Sequence, residues 1–202
     1  MDTVEIVTAF ARAALAGGGA GLRIEGIDNV RAVRAVTDAP LIGLIKRDFA
    51  GQERISPWLE DVEALADAGA DIIALDATRR PRDCTVESLI AAIHRRGRLA
   101  MADCSDVGDG HAAFAVGADI LGSTLSGYTG GVVPDAPDLA LLGELAKITP
   151  HVFAEGRYNA PPLAAQAIAH GAWAVVVGSA ITRAEHVSAW FADAIRRESD
   201  AR

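Results

Sequence analysis

Lysine is scarce in this chain: of its 19 Lys+Arg residues only two, Lys46 and Lys147, are lysines. A sequence so biased toward arginine has a ready substitute wherever positive charge alone is wanted, so each surviving lysine carries some information. Lys46 follows the apolar run Leu41-Ile-Gly-Leu-Ile45. An amine at the exit of a buried strand is expected to lose hydration, which pulls its pKa toward neutrality and suits it to act as a general base. Arg47 and Asp48 beside it read either as part of a site or as an ordinary ion pair. Glu155 closes His151-Val-Phe-Ala154 and precedes Gly156-Arg157. That carboxyl is placed to work as an acid or hydrogen-bond acceptor, or else to pair with Arg157. Asp103 in Ala102-Asp-Cys-Ser105 follows the same logic, as does Asp76 in Leu75-Asp-Ala-Thr78, unless Asp76 merely caps a helix.

A second kind of chemistry is suggested by Gly178-Ser-Ala-Ile-Thr-Arg183 after the apolar run Trp173-Ala-Val-Val-Val177. Glycine allows close backbone approach, and bare N–H groups at a helix start attract anions. With Gly156 as its other half, this turn reads as a phosphate cradle, to which Arg183 adds a bidentate donor. Cys104 reads as packing, because no histidine lies near it in sequence to activate it. His94, His111, His170 and His186 fall in helical segments and read as surface, and His151 precedes its strand on the opposite rim. No spacing suggests a metal site.

These groups share one sequence context. Seven short apolar runs, at 21–25, 41–45, 71–75, 98–102, 119–122, 151–154 and 173–177, alternate with stretches of helical period. Apolar strands alternating with amphipathic helices predict an α/β fold with a parallel sheet covered by helices. Gly-Ala pairs at 19–20, 69–70, 117–118 and 171–172 end alternate helices, so the repeat is about 25 residues of βα with a twofold alternation. That alternation suits a (β/α)8 TIM barrel, in which functional groups gather at the C-terminal ends of the strands. A doubly wound open sheet is the alternative, but no G-x-G-x-x-G follows the first strand. Seven strands are found, and the chain opens on a helix, Val4 to Leu15, capped at Asp2/Thr3 with Glu5 in a capping-box position. Unless another segment covers them, the strands at 21–25 and 173–177 are expected to expose edges. The tail beyond Arg196 reads as frayed.

Composition sets the class. The chain has 202 residues, half of them hydrophobic, a formal net charge of −8 and two cysteines. This predicts one domain over 1–202, with no disulfide framework and no affinity for nucleic acid or an anionic membrane surface. No run is apolar enough to span a bilayer, and no basic flank precedes an apolar segment at the N-terminus, so a cytoplasmic location is expected.

Six segments together resemble the N-acylmannosamine-6-phosphate 2-epimerases: Leu44-Ile-Lys-Arg-Asp48, Ala74-Leu-Asp-Ala-Thr78, Ala102-Asp-Cys-Ser105, Thr124-Leu-Ser-Gly-Tyr-Thr129, Ala154-Glu-Gly-Arg157 and Val177-Gly-Ser-Ala-Ile-Thr-Arg183. The resemblance runs from Gly21 to Phe191. It implies a phosphate-binding barrel that interconverts N-acetylmannosamine 6-phosphate and N-acetylglucosamine 6-phosphate in amino-sugar catabolism, without metal or other cofactor. Carried over by position, Lys46 and Glu155 would be catalytic, Arg23, Asp103 and Arg183 would bind substrate, and Gly156, Gly178 and Ser179 would hold the phosphate. The partner implied is a small phosphosugar, and a homodimer is expected. The family usually has a glycine where this chain has Ser179. Its members also begin with a strand carrying a Ser-Cys-Gln-like run, which these 202 residues lack. Two alternatives therefore stand beside the epimerase: a catalytically impaired phosphosugar-binding barrel, and another epimerase on the same kind of barrel.

Overall fold

The computed structural model describes residues 3–49, 51–130 and 133–200. It begins with helix α1 (Val4–Ala16), followed by β1 (Leu22–Glu25), α2 (Ile27–Arg34) and β2 (Leu41–Leu44). A hairpin of β3 (Lys46–Phe49) and β4 (Gln52–Ile55) then leads into α3 (Leu59–Asp67). The βα alternation resumes with β5 (Ile72–Asp76), α4 (Val86–Arg95), β6 (Leu99–Asp103), α5 (Val107–Ala115) and β7 (Ile120–Gly122). It ends with α6 (Leu139–Leu145), β8 (Val152–Glu155), α7 (Pro161–Ala169), β9 (Ala174–Val176), α8 (Ser179–Thr182) and α9 (Ala184–Asp200). Seven strands pair in parallel in the order β1-β2-β5-β6-β7-β8-β9, a nearly closed (β/α) barrel. Each predicted strand is present within a residue of its expected bounds, Ile45 and Val177 included as the residues just past β2 and β9.

Side-chain alternation along each strand divides the core in two. Ile42, Leu44, Ile72, Ala74, Met101, Ile120 and Phe153 form one buried cluster, the filling of the ring. Their neighbours Leu41, Ile73, Leu75, Ala100, Ala102, Leu121, Val152 and Ala154 face the other way, packing with Val30, Val62, Leu65, Ile90 and Leu142 of the helices. Continuing the inner parity to the strand exits places Arg23, Lys46, Asp76, Asp103 and Glu155 on the inward side. The apolar floor ends where the ionisable residues begin.

The helix-to-strand turns bear out the glycine reading with one correction. Gly69, Gly117 and Gly171 have φ of +96°, +99° and +98°, but in the first repeat the left-handed residue is Gly18 at +98° rather than Gly19. The N–H after each reaches back to the last helical turn: Gly19 to the Ala14 carbonyl, Ala70 to Leu65, Ala118 to Ala113 and Ala172 to Ala167. Gly97, at φ +65°, makes the same turn in a unit without the Gly-Ala pair. At α1, Thr3 takes the N-cap position, but its side chain accepts no capping hydrogen bond; Asp2 lies outside the described residues.

Among the described residues β1 pairs only with β2 and β9 only with β8, so the two expected strand edges flank a seam in the ring. Trp173, 65% exposed, stacks on Phe153 beside that seam at 5.4 Å between centroids. None of the 17 residues of α9 is buried.

The turn geometry predicts unequal costs for two alanine substitutions. A Cβ at Gly97 meets nothing within 4 Å, whereas one at Gly171 would lie 2.8 Å from the Ala146 Cβ. Urea denaturation is expected to show Gly97→Ala losing about 1 kcal/mol, the cost of the left-handed backbone alone. Gly171→Ala should lose clearly more, and equal losses would contradict the contact.

Candidate active site

The carboxyl end of the ring is organised by one guanidinium. Arg23 projects inward from β1, its side chain only 6% exposed. Its Nη2 donates to Asp103 Oδ2 at 2.7 Å, its Nε lies 2.9 Å from Glu155 Oε2, and Nη1 reaches the Met101 sulfur at 3.4 Å. One side chain thus ties β1 to β6 and β8. Burial works against the Arg23 charge, but Asp103 and Glu155 outweigh it and hold its pKa above the ordinary value.

Glu155 experiences the opposite balance. Loss of water pushes its pKa up to about 7, helped by the neighbouring negative charge of Asp103 and opposed by Arg23, Thr124 and Lys46. A carboxyl half-protonated near neutral pH can give or take a proton, which an ordinary glutamate at that pH does poorly. Its backbone is locked as well: the Ser123 hydroxyl donates to the Glu155 carbonyl at 3.0 Å and accepts the Glu155 N–H at 3.1 Å. Thr124 Oγ1 lies 2.6 Å from Asp103 Oδ1 and 3.2 Å from Glu155 Oε2, one hydroxyl serving two carboxyls. Gly122 makes this possible, because a Cβ there would lie 2.7 Å from the Met101 methyl and 3.0 Å from the Asp103 carboxylate. Sequence reading places Ser123 and Thr124 at a strand exit, directly after β7, but assigns them no role in the site.

Three expected pairings are corrected. Glu155 pairs with Arg23, not Arg157. At φ +65° after Gly156 at φ +106°, Arg157 turns its guanidinium away, onto the carbonyls of Ser126 (2.9 Å) and Ala136 (2.7 Å) and over the Tyr128 ring. Arg47 bonds Asp61 at 2.6 Å and stacks on Trp58, leaving Asp48 to accept the Gly51 N–H in the hairpin turn. Asp76, fully buried, does not cap a helix: it accepts from Thr78 and is gripped by Arg54, Arg80 and Arg82. The carboxylate is held below its usual range despite burial, by hydrogen bonds from Thr78 and the charges of Arg80 and Arg82.

Lys46 departs most from expectation. The chain does not simply leave the core there; it enters the β3–β4 hairpin, which lifts the side chain toward solvent. Lys46 is half-exposed, and its Nζ lies 3.0 Å from Glu53 Oε1 on the facing strand. The desolvation read from the apolar run therefore stops at Ile45. Even so, Lys46 is close enough for its charge to act on Glu155.

On the anion side, Gly178 is open, with nothing within 4 Å of a Cβ placed there. Among the described residues the N–H groups of Ser179 and Ala180 take no backbone carbonyl, and the first bonds of α8 run from Ile181 and Thr182 back to Gly178. Arg183 lies 3.6 Å from Glu185. Gly156 enters this rim from β8. Cys104 is fully buried, its thiol pushed well up by loss of water, consistent with packing. Among the described residues no three His, Cys, Asp or Glu side chains cluster as metal ligands would, and no helix is long and apolar enough to cross a membrane.

Known proteins resemble this arrangement along nearly its whole length. Residues 7–197 match a family model described as "Putative N-acetylmannosamine-6-phosphate epimerase". A protein of Yersinia pseudotuberculosis serotype O:1b (strain IP 31758), named "Putative N-acetylmannosamine-6-phosphate 2-epimerase", is 59% identical over 98% of this chain and 85% of its own length. A Yersinia pestis protein of the same name is 58% identical over the same shares. The solved structure of the N-acetylmannosamine-6-phosphate 2-epimerase from Clostridium perfringens superposes with a TM-score of 0.90 at 38% identity, over 95% of this chain and 86% of that one.

The raised Glu155 pKa carries a sign. Above its ordinary value the folded protein holds this proton more tightly than the unfolded chain, so Glu155 works against folding increasingly as pH rises from about 4.5 to 7. Glu155→Gln removes that term while Arg23 keeps Asp103. Denaturant titrations at pH 5 and pH 8 should therefore show the variant gaining on wild type by on the order of 2 kcal/mol. A pH-independent difference would contradict the shift.

Proposed function

The chain belongs to the N-acetylmannosamine-6-phosphate epimerase family, and on that premise we propose that it interconverts N-acetylmannosamine 6-phosphate and N-acetylglucosamine 6-phosphate by moving a proton at C2. The observation that carries the assignment of roles is Glu155, poised near neutrality on β8, four places along the sheet order from β2, whose exit delivers Lys46.

In the ring-opened sugar the C2–H bond lies α to the C1 aldehyde, which alone makes that proton removable. Lys46, as the free amine, takes the proton. The C–H electron pair moves into a C1–C2 double bond, and charge gathers on O1 as an enolate whose C2 keeps its acylamino nitrogen. Return of a proton to the opposite face of C2 inverts its configuration. Glu155, on the other side of the ring of strands, is the group that handles this proton and assists ring opening. Arg23 is supported as a sugar ligand and as a stabiliser of the developing oxyanion, its charge held in a site poor in water. Asp103, fixed by Arg23 and Thr124, accepts from sugar hydroxyls.

The phosphate end is assigned to Gly156, Gly178 and Ser179, with Arg183 beside them. The departure at Ser179 is harmless to this role, since the donor is its backbone N–H. Binding energy gathered at the phosphate orients a carbon several bonds away, so it is used in the reaction as well as in affinity. Productive binding also requires Lys46 to leave Glu53, because a paired ammonium has no lone pair to offer. Exposed pairs of this kind are weak, so substrate binding can readily offset its loss.

The test is exchange of the C2 hydrogen of either hexosamine phosphate with deuterium from solvent. Wild type is expected to exchange both. Lys46→Met is expected to lose exchange by at least about a thousandfold, and Glu155→Gln by about a hundredfold or more. Exchange surviving in Lys46→Met would reject that residue as the base.

A further inference from the structure

Ser56 stands at the base of the β3–β4 hairpin, fully buried, with φ at +40°, one of two non-glycine residues with positive φ among the described residues. Serine is strained in that conformation, whereas glycine adopts it freely, and glycine stands at the ten other positive-φ positions besides Arg157 among the described residues. What serine adds there is a hydroxyl. Its Oγ accepts the Ile45 N–H at 3.1 Å, while its own N–H donates to the Ile45 carbonyl at 2.7 Å. A single residue thus closes both polar groups of Ile45. That carbonyl belongs to the peptide bond whose other half is the nitrogen of Lys46.

We propose that Ser56 is a positioning residue for Lys46: its paired hydrogen bonds fix the Ile45–Lys46 peptide and so set the direction in which the amine leaves the barrel wall. The inference rests on the reading of Lys46 as the base. The need for such a device follows from the fold. Beyond Ile45 the chain leaves the sheet for a two-stranded hairpin, whose ladder begins with Lys46 opposite Ile55. Beyond its base, that hairpin is held to the barrel by side chains: Arg47 on Asp61 and Trp58, Arg54 on Asp76 and the Pro81 carbonyl, and Phe49 against Trp58. Those contacts act through side-chain tips, even that of Arg47, the residue after Lys46. The Ser56 clamp acts on the backbone of the residue before Lys46, where a small rotation is carried over the full length of the side chain. A shift of an ångström in a reacting group is enough to slow a reaction by about a hundredfold. Ser123 likewise closes both backbone polar groups of one residue, Glu155, there with its hydroxyl alone, so a buried serine locks a peptide at each of the two proposed proton-handling positions.

Ser56→Gly is the informative variant. It tolerates the backbone conformation, keeps the bond to the Ile45 carbonyl and deletes the hydroxymethyl side chain, so it is expected to fold with wild-type circular dichroism. Ser56→Ala, which keeps the strain and loses the same hydroxyl, is the companion. With N-acetylmannosamine 6-phosphate in deuterated buffer, Ser56→Gly should lower kcat for C2 exchange by about tenfold or more. KM should stay within about threefold, because the phosphate cradle lies on other elements. Since the chain has only two lysines, acetylation by a mild amine reagent, read by mass spectrometry as the ratio of Lys46 to Lys147, reports the placement of Lys46 without reference to activity. The variant should change that ratio by about threefold or more. An unchanged ratio, or a changed ratio with kcat unaltered, overturns the positioning role. A changed ratio with no exchange by wild type overturns instead the reading of Lys46 as a base, and the catalytic part of this inference with it.

Discussion

A guanidinium almost without access to water must be answered by negative charge, and Arg23 is answered twice. Its two bonds, to Asp103 at 2.7 Å and to Glu155 at 2.9 Å, cross the interior of the ring and join a strand at the seam to strands well round the sheet. Removing either carboxylate leaves part of a buried charge uncompensated, a loss of several kcal/mol in comparable settings. Arg23 and the Thr124 hydroxyl each serve both carboxyls, and for Glu155 that help is less than its burial demands. Proton affinity in the site thus follows from how one cation is divided between two carboxyls.

The barrel supplies what this arrangement needs. Parallel strands with inner and outer faces of strict alternation carry Arg23, Asp103 and Glu155 to one interior level above an apolar floor. Small residues at the exits leave room: Gly122 beside the Asp103 carboxylate, Gly156 and Gly178 on the anion side. The hairpin between β2 and α3 is the exception to the βα rhythm, and it carries the lysine. Its anchoring by Ser56, Asp61 and Asp76 gives fixed geometry to a segment outside the main sheet.

Much of this was legible in the sequence because it depends on period and punctuation. Seven apolar runs gave the strands, and the residues directly after them gave Lys46, Asp103 and Glu155, while the role of Arg23, inside the first run, came from the resemblance. What stayed hidden depended on contacts between segments distant in sequence or on single backbone angles. Arg23 and Glu155 are 132 positions apart in the chain, so the nearby Arg157 looked the better partner until its positive φ was seen. The exposure of Lys46 was misjudged because a run of charged residues, 46 to 48, looks like a loop and forms a strand. Ser123 and Thr124 carried no signal beyond their place after β7. Asp76 looked like its catalytic counterparts, and only the return of Arg80 and Arg82 from the loop just after it, with Arg54 from the hairpin, shows it as a structural knot.

The central claim is that Glu155 holds its proton near neutrality because burial outweighs the help of Arg23. Infrared difference spectroscopy against Glu155→Gln, titrated from pH 4 to 9, reads that carboxyl directly. The account predicts a protonated carboxyl band in wild type that disappears with a midpoint near 7. A band already lost by pH 5 would mean that Glu155 is an ordinary carboxylate, and the proton-handling role built on it would fall.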